Sequence, residues 1–207
     1  VVHKVAPAIA AGTPVILKPS EKTPTAAIHF VELLLEAGLP PHMISVVVGP
    51  VETTVRSLIE DPRVSLVSFT GGTKIGKGIA QLAGYKKLCL ELGGNSPLII
   101  HSDADLELAV TLAAEGCFRN SGQRCTAVKR LLVDRSVVEP FTAAFVEKAR
   151  EYRCGDPQDE ATRVGTVIDE DAALLLEGRV NDAVAGGARV LLGGTREGAM
   201  MEPTVIA

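Results

Sequence analysis

The sequence predicts an α/β protein built on parallel strands, in two domains, residues 1–92 and 93–207. Three observations carry this reading. Short apolar strands alternate with helical stretches, the order that generates a parallel sheet covered by helices. Glycine-rich turns such as Gly71-Gly72 join strand to helix. The strand–helix rhythm then stops at Gly93-Gly94 and restarts with a new strand.

In order, residues 3–11 read as the end of a helix closed by Gly12, and Pro14-Val15-Ile16-Leu17 as a short buried strand that delivers Lys18-Pro19-Ser20-Glu21 into a loop. Thr23 is placed to cap the next helix and Pro24 suits its first position. Apolar residues recur at Ile28, Val31, Leu34 and Leu35 until Gly38 and Pro40 end it. Residues 44–48 form the next strand, 53–60 a polar helix, and 64–69 a third strand that feeds Thr70-Gly71-Gly72-Thr73 and a helix to residue 82. Leu88-Cys89-Leu90-Glu91-Leu92 is a fourth strand. The second part predicts a strand at 98–100, a helix over 105–117 capped by Ser102 or Asp103, a strand at 130–133, helices over 137–150 and 169–185, and a strand at 189–192. Parallel sheets bind ligands outside the carboxyl ends of their strands, and both 18–21 and 71–76 lie at such ends.

Composition narrows the ligand. Hydrophobic residues make up 46% of the chain, which calls for a packed core rather than a disordered polymer. A formal charge of −4, two Tyr and no Trp argue against a nucleic-acid surface, which needs a basic face and rings to stack on. Apolar runs fall short of the ~18 residues of a membrane span and no secretory leader pattern is found, so the expected setting is cytoplasmic and the expected ligand small. Cys89, Cys117, Cys125 and Cys154 form no C-x-x-C pair and the four histidines are scattered, so no metal site is expected and the thiols read as reduced. Cys89, Cys117 and Cys154 are assigned to packing. The chain opens Val1-Val2-His3 and stops at Val205-Ile206-Ala207 just after a strand, which reads as an excised piece.

Four stretches carry chemistry. In Ser121-Gly122-Gln123-Arg124-Cys125-Thr126 a cysteine stands beside a guanidinium in a glycine-containing turn. A free thiol has a pKa of about 8.5 and only its thiolate is a strong nucleophile, so adjacent positive charge favours the reactive form. The competing reading is a buried structural cysteine. Gly71-Gly72-Thr73-Lys74-Ile75-Gly76-Lys77-Gly78 follows a strand and opens a helix, where phosphate oxygens can approach backbone N–H groups. Gly78 stands where a nucleoside-triphosphate loop needs Ser or Thr, and G-x-G-x-x-G is absent. Glu91 ends an apolar strand before Leu92-Gly93-Gly94, where burial would raise its pKa towards that of a general base. Lys18 and Glu21 could hold ribose hydroxyls.

Taken together these residues resemble the aldehyde dehydrogenases. The resemblance runs from His3-Lys4-Val5-Ala6-Pro7-Ala8 through Leu17-Lys18-Pro19-Ser20-Glu21, Phe69-Thr70-Gly71-Gly72-Thr73, Glu91-Leu92-Gly93-Gly94-Asn95-Ser96-Pro97 and Gly122-Gln123-Arg124-Cys125 to Glu202-Pro203-Thr204-Val205. It implies a fold with part of a Rossmann-type cofactor domain at 1–92, followed by part of an α/β catalytic domain at 93–207. It implies Cys125 as nucleophile and Glu91 as general base. Lys18, Ser20, Glu21, Gly71, Gly72, Thr73, Gly76 and Leu92 would contact the cofactor, NAD with NADP left open, and Arg124 and Thr126 would contact substrate. The motif around Cys125 looks like the branch acting on phosphonate- or phosphate-bearing aldehydes, with phosphonoacetaldehyde oxidised to phosphonoacetate as the best match. A guanidinium next to the nucleophile suits a dianionic group two carbons away. The resemblance also implies a homo-oligomer, dimer or tetramer, with no nucleic-acid or membrane partner.

The family's oxyanion asparagine would precede Val1 and its second ribose glutamate would follow Ala207. Gly72 stands where many relatives have Ser, and Val51 where many have Gly. Alternatives are a non-phosphorylating glyceraldehyde-3-phosphate dehydrogenase or a general aldehyde dehydrogenase, an inactive nucleotide-binding fragment, and a cysteine thioesterase or esterase using Cys125 and Glu91.

Overall fold

The computed structural model describes residues 1–207, which divide into two compact units, Val1–Leu92 and Gly93–Ala207. In the first, helix α1 (Val2–Ala10) leads through Gly12, at φ +67°, into β1 (Val15–Leu17). Helix α2 (Thr25–Glu36) and a 3-10 turn (Pro41–Met43) precede β2 (Ile44–Val46), which pairs parallel with β1. Helix α3 (Val51–Glu60), β3 (Leu66–Thr70), α4 (Thr73–Ala83) and β4 (Lys87–Glu91) follow, with β3 and β4 parallel and Thr70 opposite Glu91. The alternation predicted from sequence is therefore present, as two separate two-stranded ladders.

Two small cores hold this unit. Val5 of α1, Val31 of α2 and Ile44 of β2 are buried together, as are Ile59 of α3 with Ile79 and Ala83 of α4. Each large aliphatic side chain withdrawn from water contributes about 1.5–3 kcal/mol. The apolar face formed by Phe30, Val31 and Leu34 makes α2 cover the β1–β2 ladder. Its start differs from expectation: Pro24 is the residue that precedes the helix, its carbonyl accepting from Ala27 and Ile28, and Thr23 makes no side-chain cap. The strand at 15–17 is half-buried rather than buried, with Ile16 exposed. Cys89, read as packing, is exposed on β4.

The second unit opens with β5 (Ser96–Ile100), α5 (Leu106–Phe118), a turn at Arg119–Gly122 and β6 (Val128–Val133), which lies parallel to β5. Helices α6 (Val138–Arg150) and α7 (Glu170–Ala185) follow. Strand β7 (Val190–Leu192) pairs antiparallel with β10 (Val205–Ile206), and β8 (Arg196–Glu197) with β9 (Met200–Met201) as a hairpin. The core is one cluster, Ile100, Val110, Ala113, Ala114, Phe141, Phe145, Tyr152 and Val164. The cap of α5 corrects the sequence reading: Asp105, not Ser102 or Asp103, accepts from Leu108 N at 3.1 Å. Asp169 caps α7 by accepting from Ala172 N at 2.8 Å.

Candidate active site

In the first unit the glycine turn begins where β3 ends. Gly71 N donates to Glu91 O at 3.0 Å, continuing the β3–β4 ladder by one bond and fixing the turn against the end of β4. Gly72 precedes α4 in extended backbone without a side-chain cap, and a Cβ there would meet nothing within 4 Å. The first N–H groups of a helix have no partner within it, so Thr73 and its neighbours offer donors at a positive helix end. Gly76 serves differently. It is buried, and a Cβ on it would overlap the Leu92 side chain, so this glycine allows α4 to pack on the segment after β4. Leu92 reaches the helix that follows the glycine turn through that packing.

Lys18, Ser20 and Glu21 lie just past the carboxyl end of β1. Lys18 is half-buried with Nζ donating to Pro19 O at 3.1 Å, whereas Ser20 and Glu21 are exposed. Ser20 Oγ accepts from Lys22 N at 3.3 Å. Glu91 is exposed in place of the burial expected from its apolar strand, because the β4 pattern leaves Lys87, Leu88, Cys89 and Glu91 all accessible.

In the second unit the cysteine sits on a constrained turn. Asn120 (φ 57°), Ser121 (φ 53°) and Gly122 (φ 65°) are three successive left-handed residues, a conformation that costs roughly 1–3 kcal/mol for each non-glycine and persists only when its surroundings hold it. Those surroundings are identifiable. Phe118 anchors the start, with its ring 6.1 Å from Phe145 and 5.3 Å from Tyr152. Ser121 Oγ donates to Gly165 O at 3.1 Å and Gln123 Nε2 to Thr166 O at 3.4 Å. Arg124 Nη2 donates to Glu115 O and Gly116 O at 3.3 and 3.2 Å, clamping the last turn of α5, while its Nε is buried without a partner. Ala127 N donates to Arg124 O at 3.1 Å, which closes a tight turn with exposed Cys125 and Thr126 at its tip.

A second layer holds the turn from β6. Lys129 Nζ donates to Gly94 O at 3.3 Å and to Arg124 O at 3.4 Å, and the Arg130 guanidinium donates twice to Asn95 O, at 3.1 and 3.0 Å. A Cβ on Gly94 would overlap the carbonyl oxygen of Cys125. Gly94 therefore lets the segment before β5 lie against the cysteine backbone. Sequence reading passed over Gly94, Lys129 and Arg130 as chemistry. The available signal was the double glycine 93–94 and the two adjacent cations 129–130 that follow the Cys125 motif.

The other thiols differ in setting. Burial pushes Cys117 up to about 11, and burial together with Glu202 raises Cys154, whose Sγ also reaches Met201 O at 3.4 Å. A concavity of about 550 Å³ opens at the carboxyl ends of β5 and β6 among Ile99, Leu132 and Phe141. Cys125 precedes the amino end of β6 and does not line it. No helix is long and apolar enough to cross a membrane.

The chain thus places an open glycine turn at a helix start in a parallel α/β unit, followed in sequence by a unit that presents an accessible cysteine on a constrained turn. The chain belongs to the aldehyde dehydrogenase family, whose model matches residues 1–207. It is 41% identical to 3-sulfolactaldehyde dehydrogenase of Priestia megaterium, covering 100% of this chain and 43% of that protein. It is 42% identical to sulfoacetaldehyde dehydrogenase of Neptuniibacter caesariensis, covering 99% and 45%. The chain thus spans less than half the length of these relatives. Among solved structures, glyceraldehyde-3-phosphate dehydrogenase GapN from Methanocaldococcus jannaschii complexed with NADP superposes with a TM-score of 0.93 at 38% identity, covering 99% of this chain and 46% of that one. Betaine aldehyde dehydrogenase from Staphylococcus aureus in complex with NAD+ gives 0.93 at 37% identity, covering 98% and 42%.

Proposed function

We propose that a full-length protein carrying these residues oxidises a small anionic aldehyde to its carboxylic acid with NAD(P), through a covalent bond to Cys125. The observation that supports this most is the exposed Cys125 at the tip of a turn whose backbone is held from both sides. The Cys125 thiolate attacks the aldehyde carbon, the Sγ–C bond forms as the carbonyl π pair moves to oxygen, and the Cys125 N–H faces that developing charge. Bound NAD(P) supplies the hydride acceptor. Lys18, Ser20 and Glu21 fit its ribose, and the open backbone at Gly71, Gly72 and Thr73 fits its pyrophosphate, with Gly76 and Leu92 shaping the turn from beneath. Glu91, exposed as a general base must be to reach water, then activates the water that hydrolyses the thioester.

The anionic substrate class rests on Arg124, Thr126 and the sulfonated aldehydes named for two relatives. Arg124 Nη2 is committed to α5, so contact with a phosphonate, sulfonate or phosphate falls to Nη1. The test is NADH and NADPH formation with phosphonoacetaldehyde, sulfoacetaldehyde, glyceraldehyde 3-phosphate and acetaldehyde, beside a Cys125→Ala control. The expected result is cysteine-dependent turnover favouring an anionic aldehyde. Equal use of acetaldehyde removes the anion preference, and turnover that survives Cys125→Ala removes the mechanism.

A further inference from the structure

We infer that Lys129 is a positioning residue that orients and polarises the peptide carrying the Cys125 N–H, an inference that rests on the function proposed above. The Arg124 carbonyl and the Cys125 N–H belong to one peptide plane, so whatever binds the carbonyl acts on the donor at its other end. That carbonyl accepts from Ala127 N at 3.1 Å and from the Lys129 ammonium at 3.4 Å, which occupies both of its lone pairs. A cation on the oxygen draws electron density through the amide and makes its N–H a stronger donor, as in any chain of polarised hydrogen bonds.

The same ammonium donates to Gly94 O, and Gly94 has no side chain to hold its backbone away from the Cys125 carbonyl. Lys129 thus ties together the two main-chain segments that flank the nucleophile. It stands at the start of β6 as the extra residue of a β-bulge, between the pairs Val128–Ser96 and Arg130–Pro97. When the thiolate adds to an aldehyde, oxygen gains the displaced π pair and full negative charge. The polarised Cys125 N–H is stronger at that moment and of little consequence before it. Lys129 therefore acts on the transition state more than on substrate binding.

The experiment compares Lys129→Met and Lys129→Arg with the unsubstituted full-length protein in two assays. One is steady-state aldehyde oxidation. The other is alkylation of Cys125 by iodoacetamide, followed by mass spectrometry of the peptide that contains it, a reaction that uses the thiolate and builds no oxyanion. Lys129→Met should lower kcat roughly tenfold, less than deletion of a whole oxyanion donor, with KM and alkylation each within about twofold. Lys129→Arg should restore most of kcat, since it keeps a cationic donor on β6. Unchanged kcat in Lys129→Met overturns the inference. A loss of alkylation parallel to kcat also overturns it, by assigning Lys129 to thiol ionisation or to folding. Failure of the underlying reading has a separate signature, absence of Cys125-dependent NAD(P)H formation in the unsubstituted protein, and takes the inference with it.

Discussion

Gly94 places the strictest steric demand on the position of Cys125, since any side chain there must displace the Cys125 carbonyl. Gly94→Ala should therefore lower aldehyde turnover roughly 100-fold by shifting the reacting sulfur, the scale expected of about 1 Å of misplacement. Gly78→Ala is the matched control, since a Cβ at Gly78 meets nothing within 4 Å and its turnover should stay at the parent level. Steady-state kinetics on the two variants checks both; equal rates in Gly94→Ala and parent would remove the steric argument. Cys125, Glu91 and Gly71-Gly72 were candidates from sequence because each is the chemically distinctive member of its motif. Gly94 and Lys129 were not, because their roles depend on which backbone lies opposite them.

Helix α5 links the core to the cysteine turn. Its amino end is fixed by Asp105, and its carboxyl end by Phe118 on the aromatic cluster and by Arg124 on the Glu115 and Gly116 carbonyls. Asp105→Ala should cost about 1 kcal/mol of stability, as for other N-cap deletions, while Ser102→Ala and Asp103→Ala leave the denaturation midpoint unchanged. A midpoint that falls in Asp103→Ala and not in Asp105→Ala would reverse the assignment. The sequence allows three acidic or hydroxyl residues near this helix start. Only the backbone turn at 101–104, closed by Ala104 N on His101 O, selects the third. At α2 the same limit applied to Thr23, where helical backbone at Pro24 left the hydroxyl outside capping geometry.

For the molecule as a whole, pH reports on buried and paired groups at opposite ends of the scale. Burial holds the Cys117 thiol protonated to about 11 against an ordinary 9.0, so between those values the unfolded chain releases a proton that the folded one keeps. Stability is fully present below pH 9 and falls as pH rises through 11, by roughly 2 kcal/mol from this group. Tyr152, raised by burial and then by Glu115, acts in the same direction at higher pH. On the acid side Arg63 holds Asp61, and Ser136 holds Asp134, below the ordinary 3.8, so their contribution is present above that value and is lost as pH falls beneath it. Urea midpoints at pH 8, 9, 10 and 11 check the alkaline limb, and Cys117→Ala should flatten it; an unchanged slope would show that the thiol is not the titrating group. The sequence by itself determined the α/β alternation and the family, because hydrophobic period, glycine turns and local motifs are properties of neighbouring residues. The tertiary structure alone decided the exposure of Glu91 and Cys89, the left-handed run at Asn120 and Ser121, and the hold of Gly94 and Lys129 on the Cys125 backbone. Those depend on contacts between residues up to 44 positions apart, such as Ser121 with Gly165, which no local pattern encodes.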